Sequence, residues 1–242
     1  MAEKKTRAKK TDDTATLPLW RRVMRAIGRV LGGVAAFYLL LIFLFSFLPP
    51  PGNIYQWQES WRLGGIERDW VSWNDISPAM ARSAVAAEDA NFCLHWGFDI
   101  EQIRDAIANG KQRGASTISQ QVVKNVFLWQ GRSYLRKALE AALTPIVELM
   151  WSKQRILEVY LNEAEFAEGV FGVQAAARAL FDTDAANLSA TQSARLAAVL
   201  PNPKERNAAK PSGFVRSHAA QIRSGAETIA ADGRSSCFET AD

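Results

Sequence analysis

Apolar residues form one long uncharged run near the N-terminus, followed by shorter stretches with helical spacing. Residues 30–48 are 19 residues without a charge, rich in Leu, Phe and Val. At about 1.5 Å per residue, a helix over this run nearly spans a hydrocarbon core of roughly 30 Å. A cleaved signal peptide is the alternative, but its apolar region is usually about 7–15 residues long and ends in small residues. This run ends in Phe47-Leu48-Pro49, which favours a retained transmembrane helix.

From Pro78 onward, the apolar positions repeat with the period of α-helices. Positions 100, 103, 106 and 107, for example, share one helical face. Helices are predicted to begin at Ser77-Pro78 and to cover 100–111, 116–128, 133–151, 153–162, 172–181 and 189–200. Ser189 and Gln192 form a capping-box pattern at the start of the last one. No alternating strands or hairpin turns stand out, so a mainly α domain is predicted.

Shifts in composition predict five segments. They are a basic tail (1–29), a transmembrane helix (30–48), a Trp-rich membrane-proximal linker (49–77), a helical domain (78–231) and a loose C-terminal tail (232–242). Pro49-Pro50-Pro51-Gly52 ends the membrane helix. The Trp side chains of the linker are expected either at the lipid headgroups or packed into the start of the domain.

Charge is unevenly distributed along the chain. Residues 1–29 carry a net charge of +6, and the whole chain carries +4, which leaves −2 for residues 30–242. A basic segment before an apolar span stays cytoplasmic, so the domain is expected on the far side of the membrane. For a bacterial protein anchored in the inner membrane, that side is the periplasm or the outer membrane face. Because the domain itself is not basic, nucleic acid is not an expected partner.

Two cysteines, Cys93 and Cys237, are present. They can pair in an oxidising compartment, but Cys237 lies in the predicted loose tail, so both are predicted to be unpaired. Two cysteines and two histidines give no metal-binding spacing.

Glu88-Asp89 is the first candidate for chemistry. The pair ends the apolar stretch 79–87 and precedes Phe92 and His95. A carboxylate in a half-dry cleft has a shifted pKa, which suits an acid or base. On this group alone, an ordinary polar helix end is the favoured interpretation.

The second candidate runs from Gly114 to Asn125. The first turn of its predicted helix offers free N–H groups and hydroxyls, which suits an anion. Thr117, Gln121 and Lys124 share one face. A solvated polar face is the alternative, and the two interpretations are evenly balanced.

Two further groups carry less information alone. Arg136, Lys137 and Glu140 have the spacing of a surface ion pair within a helix. The segment 153–162 is mostly a core stripe.

Together the four groups resemble the motifs of a known family. The patterns E-D-x-x-F-x-x-H-x-G, G-x-S-T-I-S-Q-Q-x-V-K-N, R-K-x-x-E and K-x-x-I-L-E-x-Y-L-N occur in this order. They resemble the peptidoglycan glycosyltransferases of family 51, which include the glycosyltransferase domain of class A penicillin-binding proteins and the monofunctional transglycosylases. The resemblance covers residues 71–222, and the monofunctional type is expected because no room remains for a transpeptidase domain. It implies a mainly α, lysozyme-like helical glycosyltransferase domain preceded by one N-terminal transmembrane helix.

The resemblance also implies a reaction. Lipid-linked disaccharide-pentapeptide (lipid II) is joined into glycan strands with inversion, and undecaprenyl pyrophosphate is released. Glu88 is expected to be the base, and Glu140 the second catalytic carboxylate, which acts through a divalent cation (Mg or Mn) or by orienting nearby cations. Substrate contacts are expected from Asp89, Phe92, His95, Ser116, Thr117, Gln120, Gln121, Lys124, Asn125, Arg136, Lys137 and Arg216.

The expected partners are lipid II, the growing lipid-linked strand, the membrane and proteins of cell-wall synthesis or division. No organic cofactor is expected.

Three positions depart from the family pattern, and two other functions compete with it. Ala115 replaces the usual second glycine, His218 stands where a basic residue is common, and Cys93 has no assigned role. The rivals are a lytic enzyme that cleaves the same polymer and a non-catalytic anchored scaffold. A lytic enzyme needs no pyrophosphate site, whereas this sequence offers Lys124 and Arg136-Lys137 together with Glu140.

Overall fold

The computed structural model of the chain describes residues 18–108, 116–131 and 133–239. Gly114 and Ala115, most of the predicted basic tail and the end of the helix predicted over 100–111 lie outside the described residues. The chain divides into two compact units, residues 1–41 and residues 42–242.

Helix α1 covers Leu19–Phe45 and is long and apolar enough to cross a membrane. Its 27 residues correspond to roughly 40 Å at about 1.5 Å per residue. It starts before the predicted boundary at residue 30, because the basic lead-in continues the same helix. This helix agrees with the predicted membrane anchor.

The second unit is mainly helical. Its helices are α2 (Ile54–Leu63), α3 (Pro78–Glu88), α4 (Ile100–Ala108), α5 (Ile118–Phe127), α6 (Tyr134–Met150), α7 (Lys153–Glu163), α8 (Val173–Phe181), α9 (Ala190–Val199) and α10 (Gly213–Ala231). Short 3-10 helices cover Trp73–Asp75 and Ala185–Asn187. Helix α3 packs against α9 and α10, and α5 packs against α6 and α7. The expected mainly helical fold is confirmed.

A small sheet corrects the prediction of a domain without strands. Strand β1 (Glu67–Arg68) pairs in parallel with β3 (Val170–Phe171), and β2 (Glu165–Ala167) pairs antiparallel with β3. Strands of two or three residues are too short to show alternation in the sequence, which is why the pattern missed them.

Helix α2 differs from the linker predicted over 49–77. Asn53 caps it with a capping box, and the Asn53 Nδ2 and Gln56 Nε2 atoms donate to Oε2 of Glu163 at 2.7 and 3.0 Å. Arg68 forms an ion pair with the other oxygen at 2.8 Å. Burial raises the pKa of Glu163, and these three donors partly offset the shift. The buried carboxylate therefore holds α2 and β1 against the end of α7.

The end of α1 is fastened within the second unit. Trp151 Nε1 donates to the carbonyl of Ile42 at 2.8 Å, and Arg155 Nη2 donates to those of Phe45 and Leu48 at 2.9 and 2.7 Å. The Phe45 carbonyl is one that the end of a helix leaves without an intrahelical donor, and Arg155 supplies that donor.

Residues 232–239 also differ from the predicted loose tail. Cys93 and Cys237 form a disulfide, so the prediction of two unpaired cysteines is wrong. Phe238 is 2% exposed, because it packs between aromatic rings of the domain. A polar sequence concealed this contact, since one Phe and one Cys are enough to dock the segment.

We predict that Asn53→Ala lowers the free energy of unfolding by about 2–4 kcal/mol, because it removes a helix cap and a hydrogen bond to a buried carboxylate. Urea unfolding of the full chain in detergent, followed by Trp fluorescence, measures the change. Asn202→Ala removes an exposed hydrogen bond to Glu205 and is the control, with an expected change within about 0.5 kcal/mol. Equal effects of the two substitutions would contradict the attachment of α2 through Glu163.

Candidate active site

Glu88 is the last residue of α3, and its carboxylate faces α5. Gln121 Nε2 donates to Oε2 of Glu88 at 2.9 Å, and the side chain is half-buried. The position at a helix C-terminus leaves the carboxylate near the negative end of the helix dipole.

This environment favours the protonated form of Glu88. Burial raises the pKa of Glu88, while the Gln121 hydrogen bond and the charges of Lys124 and His218 pull it down and Asp89 pushes it up. A base with a raised pKa holds a proton more readily near neutral pH, which suits general base catalysis.

Asp89 connects this residue to the start of α5. Its carboxylate is 2% exposed and accepts hydrogen bonds from the Ile118 N–H at 3.0 Å. The other oxygen lies 2.8 Å from Nε2 of His95. A carboxylate at a helix N-terminus satisfies a free N–H and complements the dipole. Asp89 therefore fixes the distance between the end of α3 and the beginning of α5.

Thr117 completes the start of α5. It forms a capping box with Gln120, and its hydroxyl donates to the carbonyl of Gly97 at 2.7 Å. Gly97 has φ +84°, and a Cβ there would lie 2.6 Å from Cγ2 of Thr144. Only glycine fits this close approach of the loop to α6.

The exposed side of α5 lines a cavity of about 170 Å³. Gln121, Lys124 and Asn125 contribute from α5, and Tyr160 from α7. Burial raises the pKa of Tyr160 well above its usual value, and the charges of Glu88 and Asp89 raise it further. The tyrosine therefore lies close enough to both carboxylates to feel their charge.

A group of cations lies at the start of α6. Arg136 Nη1 donates to Oε2 of Glu140 at 2.7 Å, and Nε donates to the carbonyl of Gly131 at 2.9 Å. Lys137 donates to the other oxygen of Glu140 and, at 3.3 Å, to the Ser116 hydroxyl. Glu140 is 2% exposed. One buried carboxylate thus orients two cations.

Lys124 interacts electrostatically with both parts of the site. Burial lowers the pKa of Lys124, the charges of Glu140 and Glu88 raise it, and those of Arg136 and Lys137 lower it. Lys124, Arg136 and Lys137 outnumber Glu140 by two charges. The region next to Glu88 is therefore suited to a group with at least two negative charges.

The surroundings of Glu140 do not fit the divalent cation that the sequence left open. Both of its oxygens already accept from Arg136 and Lys137. A divalent ion prefers several oxygen ligands, and here it would meet three positive side chains. The prediction of Mg or Mn stays untested.

Several predicted substrate contacts are buried. Asp89, Phe92, Thr117 and Gln120 are each at most 4% exposed. Lys153 Nζ lies 4.4 Å from the centre of the Phe92 ring, which places the ring in the core. Burial favours a supporting role for these four residues over direct substrate contact. His95 joins them through Asp89.

Arg216 lies outside this group of side chains. Its Nη1 donates to the carbonyl of Pro211 at 2.7 Å, and it lines a groove between α9 and α10 with Arg195 and Arg223. His218, two residues later and on another face of α10, is the α10 residue whose charge acts on Glu88. The departure noted in the sequence pointed to His218 without assigning it a role.

Tyr160 and Glu148 were also missed. Tyr160 lies in the segment 153–162, which was assigned to the core. It is buried, as that assignment implies, but it also lines the cavity next to α5. Glu148, 8% exposed, accepts from Ser119 at 2.5 Å and from Lys153 at 2.8 Å, which ties α5 to α6 and α7. No motif in the sequence signals this pairing.

The arrangement is typical of a class of glycosyl-transfer proteins: a helical domain in which a half-buried carboxylate, Glu88, lies beside a group of cations. Residues 57–228 match the transglycosylase family. A relative from Jannaschia sp. (strain CCS1) is 56% identical over 238 residues, 98% of this chain and 99% of its own. A relative from Pseudomonas entomophila (strain L48) is 49% identical over 211 residues, 83% of this chain and 89% of its own. Both relatives are biosynthetic peptidoglycan transglycosylases.

The chain therefore belongs to the transglycosylase family. This membership confirms the resemblance that the four motifs indicated.

We predict that the pKa of Glu88 in the folded protein lies above 4.5, because burial destabilises its carboxylate. Gln121→Leu removes a donor that stabilises the charged form, so the pKa should rise further. Carbon-13 chemical shifts of labelled glutamate side chains, followed against pH, measure both values. Gln58→Leu, on the exposed side of α2, is the control and should leave the Glu88 titration unchanged. A Glu88 pKa at or below 4.5 would contradict the buried setting.

Proposed function

We propose that the protein polymerises peptidoglycan glycan strands from lipid-linked disaccharide-pentapeptide, with release of undecaprenyl pyrophosphate. The observation that carries this proposal is the placement of Glu88 beside Gln121 and Lys124, next to the Arg136-Lys137-Glu140 group. One side of the site holds a base, and the other holds an excess of positive charge. Membership of the transglycosylase family supports the same reaction.

Glu88 is the general base in this proposal. The acceptor 4-hydroxyl gives its proton to the carboxylate as its oxygen attacks the anomeric carbon of the donor. The bond to pyrophosphate breaks on the opposite face of the sugar, which inverts the configuration. Gln121 orients the carboxylate through its hydrogen bond, and partial burial keeps the proton affinity high.

The cations bind the leaving group. Lys124, Arg136 and Lys137 balance the negative charge that grows on the pyrophosphate oxygens, and Ser116 adds a hydroxyl. The Arg136 guanidinium is held by Glu140 and the Gly131 carbonyl, so it is oriented before substrate binds. Glu140 acts by orienting cations, since both of its oxygens are engaged with them.

We infer that the chain is anchored in the bacterial inner membrane by α1, with the basic N-terminus cytoplasmic and the domain periplasmic. The apolar helix supports the anchor, and the +6 charge of residues 1–29 supports this orientation. A polyprenyl substrate stays in the bilayer, so an anchored enzyme meets it at a high effective concentration. Proteins of cell-wall synthesis or division remain proposed partners.

We predict that Glu88→Gln lowers polymerisation by at least about 10²–10⁴-fold, the usual contribution of a general base. The full chain in detergent is incubated with lipid-linked precursor, and glycan products are separated by gel electrophoresis. Glu168→Gln makes the same chemical change on the surface and should keep full activity, since Glu168 pairs only with Arg62 among the contacts described.

The same preparation separates the rival functions. Near-full polymerisation by Glu88→Gln would contradict the base assignment. Cleavage of purified sacculi without polymer formation would indicate a lytic enzyme, and neither activity would indicate a scaffold.

We also predict that Trp57→Ala/Trp61→Ala lowers polymerisation several-fold on liposomes that contain the precursor. The two indoles lie one turn apart on α2 and are 65% and 89% exposed, which suits the lipid headgroup region. Precursor in detergent micelles is the control, where the variant should match the wild type. Unchanged rates on liposomes, or an equal loss in micelles, would contradict contact with the membrane.

A further inference from the structure

The chain continues past the region that matches the family and folds back onto it. The family match ends at residue 228, whereas the structure describes a turn of backbone at 232–239. We call residues 232–239 the C-terminal segment. Its backbone turns are closed by hydrogen bonds from Phe238 and Glu239 to the carbonyl of Ser235 at 3.0 and 2.9 Å. The segment is therefore ordered structure, and the residues it contacts indicate what it does.

Two polar contacts of the C-terminal segment lie on either side of Glu88 in the sequence. Glu239 forms an ion pair at 2.7 Å with Arg82, one and a half turns earlier on α3. Arg234 Nη1 donates at 3.2 Å to the carbonyl of Ala90, two residues after Glu88. Arg234 is itself held by Asp232 at 2.8 Å. The segment thus bridges the middle of α3 and the start of the loop that follows it.

The remaining contacts hold the loop itself. Cys237 is joined to Cys93 by the disulfide, which links positions 144 residues apart. The Phe238 ring lies 6.4 Å from the ring of Phe92 and 6.3 Å from that of Trp73. Four consecutive loop positions, 90 to 93, therefore include three that contact the C-terminal segment.

The loop needs such support because it has no regular secondary structure. Residues 89–99 connect α3 to α4 without helix or strand, and the other side of the loop is open, with Leu94 68% and Trp96 56% exposed. Yet the loop carries Asp89, whose two bonds set the position of Glu88 relative to α5. The Phe92 ring lies 6.3 Å from that of His95, the partner of Asp89. Movement of the loop would therefore reach Glu88 through a short series of contacts.

We propose that Cys93, Cys237, Phe238 and Arg234 are positioning residues for the catalytic base. The C-terminal segment closes the back of the Glu88 loop, and this keeps the carboxylate in its partly dry position against Gln121. The inference rests on the proposed role of Glu88 as base. Cys237, Phe238 and Arg234 lie beyond the matched family region, and they and the disulfide thereby gain a function in the reaction.

The test compares kcat, KM and the pH profile of polymerisation by the full chain in detergent. The variants are Cys93→Ser/Cys237→Ser, Phe238→Ala and Arg234→Gln. We expect kcat to fall by about 10- to 100-fold for the first two and less for Arg234→Gln, because a misplaced catalytic group lowers the rate without weakening binding. KM should stay close to that of the wild type, since Lys124, Arg136 and Lys137 are not touched.

The acid limb of the pH profile separates positioning from stability. Glu88 must be ionised to act, and burial raises its pKa, whereas Gln121, Lys124 and His218 lower it and Asp89 raises it. A loosened loop admits water to Glu88, so its pKa falls and the acid limb moves to lower pH. A variant that is only less stable would lose active enzyme at every pH and keep the limb in place. Phe238→Leu, which restores an apolar side chain, should recover most of the kcat.

Arg223→Gln is the matched control on α10. Arg223 lies outside the C-terminal segment and makes a 3.6 Å ion pair with Glu227, so its removal should leave kcat and the acid limb unchanged. Reduction of the folded wild type by dithiothreitol should reproduce the double-serine result and have no effect on the double-serine variant. If a cysteine or phenylalanine variant fails to fold, Arg234→Gln and the reduced wild type still decide the question.

Unchanged kcat and acid limb in folded Arg234→Gln and in the reduced enzyme would overturn the proposal and leave the segment a purely stabilising element. That outcome differs from a failure of the base assignment, in which Glu88→Gln itself stays active. The two ideas are therefore tested separately in one set of measurements.

Discussion

The buried carboxylate of Asp89 is the interaction on which the geometry of the site depends. It accepts from the first N–H of α5 and from His95, so one side chain joins the end of α3 to the start of α5. Glu88 precedes it directly in the chain, and Gln121 and Lys124 follow on the next turns of α5. A buried carboxylate without hydrogen-bond partners would strongly destabilise the protein. As long as Asp89 is buried, its bonds therefore hold the end of α3 against the start of α5. The relative position of Glu88 and Lys124 thus follows from a residue that is almost fully buried.

Charge is distributed so that the two halves of the site keep different properties. Around Glu88, burial dominates and favours the protonated form. Arg136 and Lys137 both form hydrogen-bonded ion pairs with Glu140. These ion pairs offset the free-energy cost of burying the Glu140 carboxylate. Burial lowers the pKa of Lys124, and the charges of both carboxylates act on it and raise its pKa. A single fully paired cluster would have left neither a carboxylate with a raised pKa nor surplus positive charge, and the separation into two regions provides both.

The sequence predicted most of the helices and named the charged residues of the candidate site. The helices could be predicted because the signals that specify a helix lie within a few residues of one another. The helices from α3 to α9 have apolar positions at helical spacing, and Ser189-Gln192 marks a helix start by hydrogen bonds within four residues. Glu88, Lys124 and the Arg136-Lys137-Glu140 group were named from the resemblance of four motifs to a known family. The structure brings them close together, and their roles in the reaction stay predictions. The sequence does not show which residues of a motif face the substrate, because this depends on how deeply each side chain is buried. Thr117 and Gln120 occur in a motif for the site, yet they bond to each other as a cap.

The contacts that the sequence did not reveal join residues far apart in the chain. Asn53 and Glu163 are 110 positions apart, and Cys93 and Cys237 are 144 apart. No local pattern distinguishes a polar residue that will be buried by such a contact from one that stays in solvent. The same reason explains why residues before α3 were taken as a linker and residues after α10 as a loose tail. Both ends of the domain look weakly structured by composition, but each supplies a few side chains to the core: α2 through the Glu163 carboxylate, and residues 232–239 through Phe238 and the disulfide. The helices thus follow from the periodicity of the sequence, whereas the docking of α2 and of residues 232–239 follows from a few long-range contacts outside that periodic region.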